Sequence, residues 1–124
     1  MSKKPHRVVV LGASHKLERY SNQAVRLLCE HGHEVIPVHP KLEEVEGIKV
    51  VNSLDLIQGD VDTLTLYVGP ERSSALTDDI LRLKPGRVIF NPGSENAELE
   101  KHLNSAGISF EHACTLVLLR TGQF

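Results

Sequence analysis

Four apolar residues, Val8-Val9-Val10-Leu11, run without a break into Gly12-Ala13-Ser14, and this junction restricts the fold more than any other stretch of the chain. An uninterrupted β-branched run suits a strand buried on both faces, as in a parallel sheet with helices on either side. Small residues directly after it suit a turn into a helix, where backbone can approach an anion. A second apolar stretch ends in Pro37-Val38-His39-Pro40-Lys41. The first forty-one residues thus read as strand, small-residue turn, helix and strand, the phosphate-binding half of a doubly wound sheet. After the second strand an NAD site needs an Asp or Glu for the ribose hydroxyls. This chain offers His39, Pro40 and the cation Lys41, which points to a nucleotide with a phosphorylated ribose.

The remaining sequence continues the alternation. Ser21 is the expected N-cap of a helix with Ala24, Val25, Leu28 and Cys29 on its apolar face, and Gly32 stops it. Glu34–Val38 is the second strand, residues 48–51 a short third strand at an edge, and residues 53–58 a short helix capped by Ser53. A fourth strand over residues 61–68 ends at Gly69-Pro70, and Pro70 opens a helix reaching Leu83. Arg87–Phe90 is a fifth strand, broken by Asn91-Pro92-Gly93. Ser94 is the expected cap of a helix with Leu99 and Leu103 inward, Gly107 closes it, and residues 108–110 form a sixth strand. Such a pattern predicts a three-layer, doubly wound (Rossmann-like) α/β fold around a parallel sheet, a single domain over residues 1–124.

Composition excludes several partners. The net charge is −2, and basic residues cluster only at Lys3-Lys4, which argues against nucleic acid and membrane surfaces. With two Tyr, three Phe and no Trp, the chain also lacks stacking platforms for single strands. No apolar stretch reaches the roughly 18–20 residues of a membrane span, and the first five residues have no signal-peptide core, so a cytoplasmic protein is expected. In that reducing compartment Cys29 and Cys114 are expected to stay unbridged.

Ligands of such sheets bind beyond the carboxyl ends of the strands, which singles out the residues after the first, second, fourth and fifth strands. Gly12 permits the turn, Ala13 keeps the approach open, and Ser14 can donate from its hydroxyl and amide. The loop to Tyr20 is longer than a G-x-G-x-x-G turn and carries His15, Lys16 and Arg19, which suits a larger and more anionic ligand than NAD. Pro40 restrains the chain before Lys41, whose ammonium could meet a ribose 3′-phosphate. The plainer alternatives are a simple strand-to-helix turn at Gly12-Ala13-Ser14 and a solvated surface lysine at Lys41.

Taken together, V-V-V-L-G-A-S (8–14), Arg19-Tyr20-Ser21, Leu28 with Gly32-His33-Glu34-Val35, and V-I-P-V-H-P-K (35–41) resemble the small standalone CoA-binding domains. Those are similar to the amino-terminal domain of the succinyl-CoA synthetase α subunit. The likeness extends to Val61-Asp62, to Asn91-Pro92-Gly93 and to a cysteine after the sixth strand. It implies that Gly12, Ala13 and Ser14 cradle the pyrophosphate, that Arg19 and Lys41 meet phosphates, and that Val38, His39 and Pro40 flank the adenosine. With Lys16 in the same loop, pantetheine is expected to run past Val68 and Asn91-Pro92-Gly93 toward Cys114. Tyr67 departs from the aliphatic residue expected there. The resemblance includes no ligase domain with its phosphorylated histidine, so a binding module is expected.

Nothing in the pattern supplies a P-loop lysine motif or a paired-carboxylate site, and no histidine set has zinc-site spacing with the cysteines. His112 and Cys114 could in principle act as base and nucleophile, and Cys114 could instead exchange disulfides with CoA or be a small buried residue. The favoured function is noncatalytic binding of CoA or acyl-CoA as a carrier, sensor or regulator. Two alternatives stand beside it: an NADP-linked oxidoreductase-type domain using Lys41 for the 2′-phosphate, and an interaction module with an empty site. In the latter, residues 115–119 would cover a second copy or another protein.

Overall fold

A computed structural model describes residues 5–124, so Lys3 and Lys4 lie outside the described residues. In chain order the elements are β1 (Arg7–Leu11), α1 (Tyr20–Glu30), β2 (Glu34–Val38), β3 (Glu44–Val45), β4 (Ile48–Lys49), a 3₁₀ turn (Leu54–Leu56), β5 (Thr63–Leu66), α2 (Pro70–Ala75), α3 (Thr77–Leu83), β6 (Arg87–Phe90), α4 (Ala97–Ala106), β7 (Ser109–His112) and α5 (Thr115–Arg120). Five strands form one parallel sheet in the order β2-β1-β5-β6-β7. The chain winds outward from β1 to β2 and then resumes at β5 on the other side of β1. The strand order therefore reverses between β1 and β5, where a crevice opens above the sheet.

The continuous apolar run of β1 has a direct cause in this arrangement. Val8, Val9 and Val10 are all fully buried. Val9 and Leu11 pack with Leu64, Ile80, Phe90, Leu99 and Leu103 on the face covered by α3 and α4. Val8 and Val10 pack with Val25, Leu28 and Leu119 on the face covered by α1 and α5. Strand β5 solves the two faces differently: Leu64 and Leu66 join the first cluster, while Thr63 and Thr65, equally buried, hydrogen-bond on the second face. Alternation in β5 thus separates apolar from hydrogen-bonded interior, not core from solvent.

The parallel sheet with helices on both faces agrees with expectation, and the differences lie in the short elements. Residues 48–51 do not add a strand to the sheet. Ile48 and Lys49 pair antiparallel with Glu44 and Val45 in a separate ribbon, and Val51 touches β2 at a single bridge to Val38. Ser21 and Ser94 do not cap, and Ser53 stands at the N-cap of the 3₁₀ turn without a side-chain capping bond. Helix α1 starts one residue before Ser21, with Arg19 at the cap position. The Ser53 hydroxyl is turned onto the Asp55 carboxylate. Ser94 donates to the Asn91 carbonyl at 2.7 Å, leaving Asn96 to accept from the Leu99 amide at 3.0 Å. The helix after Pro70 breaks at Leu76, whose amide makes a tighter bond to the Ser73 carbonyl. The buried stripe of α1 runs through Ser21, Ala24, Val25 and Leu28, so Cys29 faces solvent. Residues 115–119 are no exposed apolar run: Thr115, Leu116 and Leu119 are buried in α5 and only Val117 is well exposed. Among the described residues no helix is long and apolar enough to cross a membrane.

Leu64 is central to the larger cluster, under α3 and α4. Leu64→Ala should lower the free energy of unfolding by about 2–5 kcal/mol, the range for a buried leucine leaving a cavity. Urea denaturation of both proteins measures it, and a loss below about 1 kcal/mol would mean that the site collapses around the smaller side chain.

Candidate functional site

A cleft of about 860 Å³ lies at the β1/β5 reversal point. Gly12, Ala13, Ser14, Lys16, Arg19, His39, Lys41 and Val68 line it, together with Tyr67 and Arg72. A smaller annex of about 290 Å³ adjoins it, walled by Leu11, Val38, Pro40, Leu54, Ala75 and Leu76 and sharing Gly12, His39, Val68 and Arg72 with the cleft. The main cleft is of the size that receives a nucleotide-like ligand.

Gly12 fixes the floor. Its φ of +91° is open to glycine, and an added Cβ would stand 2.9 Å from the Tyr67 carbonyl oxygen. The amides of Gly12 and Ala13 both donate to the Val38 carbonyl at 3.1 Å. They bind β2's exit to β1's exit and so do not face a ligand. Donors toward the cleft begin at Ser14, whose Oγ accepts from the Lys16 amide at 3.1 Å and keeps its own proton to give. Helix α1 starts without a side-chain cap, and Arg19, Tyr20 and Ser21 line the cleft. Its first-turn N–H groups are thus left open to an anion, at the positive end of the helix dipole.

The charges agree. Lys16, Arg19, Lys41 and Arg72 line the cleft against one acid, Glu18. Among the described residues none of these four cations is held in a salt bridge. The cleft is therefore a positive basin in a chain of net charge −2.

His39 organises the Lys41 side. Its Nδ1 accepts from the amides of Lys41 at 3.0 Å and Leu42 at 3.1 Å, which requires the ring proton to sit on Nε2. Asn52 closes the same turn by donating to the carbonyls of His39 at 2.9 Å and Leu42 at 3.1 Å. Lys41 is thus held by a side-chain-capped turn, not by Pro40 alone. Burial, followed by the charges of Arg72, His15 and Lys41, holds His39 below the ordinary imidazole value of 6.5.

The other candidates sit off both cavities. Asn91 is buried inside a polar network: Nδ2 donates to Thr65 Oγ1 at 2.6 Å and the Leu66 carbonyl at 2.9 Å, and Oδ1 accepts from the Thr115 amide at 2.9 Å. Pro92 and Gly93 are exposed on the turn beyond β6. Cys114, half-buried, precedes α5 as a free thiol. Tyr67 links the two regions, because the residue lines the cleft while the charge of Cys114 bears on its hydroxyl. Among the described residues that hydroxyl is buried with no partner at hydrogen-bond geometry, and burial pushes its pKa up to about 12. The threonine hydroxyls of residues 65 and 115 lie nearby but bond each other at 2.8 Å.

Arg72 and Asn52 are the functional-site residues that the sequence pattern did not single out. Arg72 was findable, since it lies in the first turn of the helix opened by Pro70, which must point at the reversal point. Asn52 lies in a stretch with no periodicity and gives no signal. Among the described residues no group of His, Cys, Asp or Glu is placed to hold a metal ion.

Comparison with known proteins follows the same outline. The family described as a CoA binding domain matches residues 6–120. The chain is 28% identical over 101 residues to the uncharacterized protein YneT of Bacillus subtilis (strain 168), covering 82% of this chain and 75% of that one. A crystal structure of an uncharacterized protein shares 45% identity with a TM-score of 0.92, over 98% of this chain and 100% of the other. A dinucleotide-forming acetyl-coenzyme A synthetase 1 of Ca. Korarchaeum cryptofilum shares the fold, with a TM-score of 0.73 at 22% identity, over 86% of this chain and 25% of that one.

The lowered pKa of His39 fixes a pH dependence. The unfolded imidazole takes up its proton first as the pH falls, so His39's contribution to stability is complete above its unfolded value and is lost as the pH falls through its folded value. His39→Asn keeps an acceptor for the same turn and removes the titration. Its unfolding free energy should change less than the wild type's between about pH 7.5 and about pH 5.5, where imidazoles titrate. Identical slopes in paired urea titrations would show that His39 does not govern this window.

Proposed function

Because the chain belongs to the CoA binding domain family, we propose that its cleft holds coenzyme A or an acyl-CoA noncatalytically, as a cytoplasmic carrier, sensor or regulator built on residues 1–124. The observation that carries this reading is the junction of a cationic cleft with an apolar annex at the exit of β2. CoA has the matching parts: an adenine for an apolar wall, a ribose 3′-phosphate, and a pyrophosphate leading to pantetheine.

In this reading Gly12 and Ala13 shape the floor, and Ser14 with the first turn of α1 receives the pyrophosphate, neutralised by Lys16, Arg19 and Arg72. Lys41 meets the 3′-phosphate, and Val38, His39 and Pro40 flank the adenosine. Pantetheine passes Val68 and Tyr67 toward the turn at Asn91, Pro92 and Gly93. Asn91 contributes by holding the Thr115 amide, and with it the residue before, Cys114. Among the described residues the cleft is lined by cations with Glu18 as its one acid, a lining that supports binding of an anion.

CoA should raise the thermal midpoint of the protein while NAD and NADH leave it unchanged, since a ligand bound only by the folded state stabilises it by mass action. An equal shift with NADP would replace CoA by an NADP site, and no shift with any nucleotide would favour an interaction module. Calorimetric titration of CoA and dephospho-CoA into wild type and Lys41→Ala then locates the 3′-phosphate. Loss of one charged contact should weaken CoA binding by about 1.5–3 kcal/mol and dephospho-CoA binding far less. Equal losses would remove Lys41 from that role.

Cys114 and Cys29 should behave differently toward CoA disulfide. Attack by the Cys114 thiolate forms a Cys114–CoA disulfide and releases one CoA thiolate, so the exchange balances without another oxidant. Peptide mass spectrometry should find the adduct on Cys114, with reduced CoA slowing its labelling by other thiol reagents. Adducts confined to Cys29 would leave Cys114 outside the ligand's path.

A further inference from the structure

The β3–β4 ribbon turns through Glu46-Gly47 with φ of +52° and +77°. Two positive φ values in a two-residue hairpin loop define a mirror-image turn, in which the first position favours Asn, Asp or Gly. A glutamate there carries backbone strain that the hairpin itself does not require. Its side chain explains the choice. Glu46 Oε2 accepts from Asn22 Nδ2 at 3.1 Å, and the same nitrogen donates to the Ser14 carbonyl at 2.9 Å.

Asn22 is fully buried in the first turn of α1, and its Oδ1 accepts from Arg26 Nε at 2.9 Å. Arg26 in turn donates to the Leu17 carbonyl at 2.8 Å, and Gln23 to the Glu18 carbonyl at 3.2 Å. Three carbonyls of the exposed loop between β1 and α1 are thereby drawn against the helix. In this loop drawing carbonyls to one side presents cations and amides on the other, toward the cleft. With both amide protons of Asn22 in use, one on Glu46 and one on Ser14, its orientation is fixed from two sides. Without Glu46, the buried amide has an unmatched proton and reason to turn away from Ser14.

We propose that Glu46 is a positioning residue for the anion-binding loop, acting through Asn22 to hold Ser14 and the residues after it in binding geometry. The proposal deepens the CoA reading and rests on it for the identity of the ligand. It assigns the ribbon, which adds no strand to the main sheet, the task of clamping the loop from outside.

Glu46→Asn tests it, because asparagine suits the turn better yet is too short to reach Asn22. The thermal midpoint should stay level or rise, amide hydrogen exchange over residues 14–19 without ligand should accelerate, and CoA should bind about tenfold more weakly, the scale of one charge-assisted hydrogen bond. Removing an acid beside a cationic cleft would by Coulomb's law alone tighten the binding of an anion, so a weakening cannot come from charge. Glu46→Gln keeps an acceptor for Asn22 at full reach and should restore both the slow exchange and most of the affinity. Unchanged loop exchange with CoA bound as well or better would overturn the proposal, as would a lower midpoint with exchange accelerated throughout the chain. If the unsubstituted protein fails to bind CoA, the ligand reading falls, and exchange in residues 14–19 still decides for or against the clamp.

Discussion

Three strands end on one residue. Gly12 donates to the carbonyl of Val38 at the exit of β2, its neighbour Leu11 accepts from the Tyr67 amide at the exit of β5, and a Cβ on Gly12 would overlap the Tyr67 carbonyl. The crevice exists because the chain leaves the parallel strands β1 and β5 onto opposite faces of the sheet, and Gly12 lets all three exits stay within hydrogen-bond distance. A side chain at that position would force β1 and β5 apart at their ends or push the loop into the cleft. The anion-binding loop, the Lys41 turn and Tyr67 each inherit their positions from this knot. The fold and the site therefore share one constraint, and substitutions at Gly12 cannot separate stability from binding.

The cleft is built at the expense of local electrostatics. Lys16, Arg19, Lys41 and Arg72 line it, among the described residues without carboxylate partners at bonding distance, and the pKa of His39 beside them is lowered first by burial and then by the charges of Arg72, His15 and Lys41. Like charges gathered in a partly desolvated crevice destabilise the unliganded protein and reward an anion that neutralises them. That arrangement needs rigid backing, since otherwise the cations would splay into solvent. The backing is polar: His39 and Asn52 close the Lys41 turn, Asn22 and Arg26 hold the loop, and Asn96 binds the Pro70 carbonyl and the Ser73 and Ser74 hydroxyls at the base of the helix that carries Arg72. Each bond contributes only about 0.5–1.5 kcal/mol to folding. Their common effect is to remove alternative positions for the cations, which lowers the ordering cost of binding.

The parts legible in the sequence are those in which burial alone decides. Val8-Val9-Val10-Leu11 could only be a strand with both faces covered, and Leu99 and Leu103 could only face inward. The exit Val38-His39-Pro40-Lys41 was legible because its residue types contradict an NAD site, and the structure places all four on the cleft or its annex. Competition among polar side chains was not legible. Ser94 and Asn96 are both good caps two residues apart, and which one caps depends on the Asn91 carbonyl, which takes the Ser94 proton. The ribbon was missed because strands of two residues carry no period, and the solvent-facing Cys29 because one residue's step moves a helical side chain about a hundred degrees around the axis. Asn22 gave no signal either: a buried polar residue in a helix is unmarked until its partners, from a loop and a hairpin, are known.

The two ends of the cleft differ in how completely they are satisfied. On the cationic side the unpaired groups among the described residues, the four cations and the first-turn amides of α1, face the open cleft, where water meets them. On the Tyr67 side a buried hydroxyl has no partner at hydrogen-bond geometry among the described residues, although the hydroxyls of Thr65 and Thr115 lie nearby. Removing it would be simple, since a phenylalanine would fill the same volume against Ala13 and the β5 exit. The phenol instead stays neutral through any physiological pH and lies within the electrostatic reach of the Cys114 thiol. The one buried polar atom without a partner among the described residues thus lies at the Tyr67 end of the cleft, and the unpaired cations lie at the other. The topology itself sets this division: the β1/β5 reversal gathers the cations, and the approach of α5 to the exit of β5, through Thr65, Thr115 and Asn91, builds the other end.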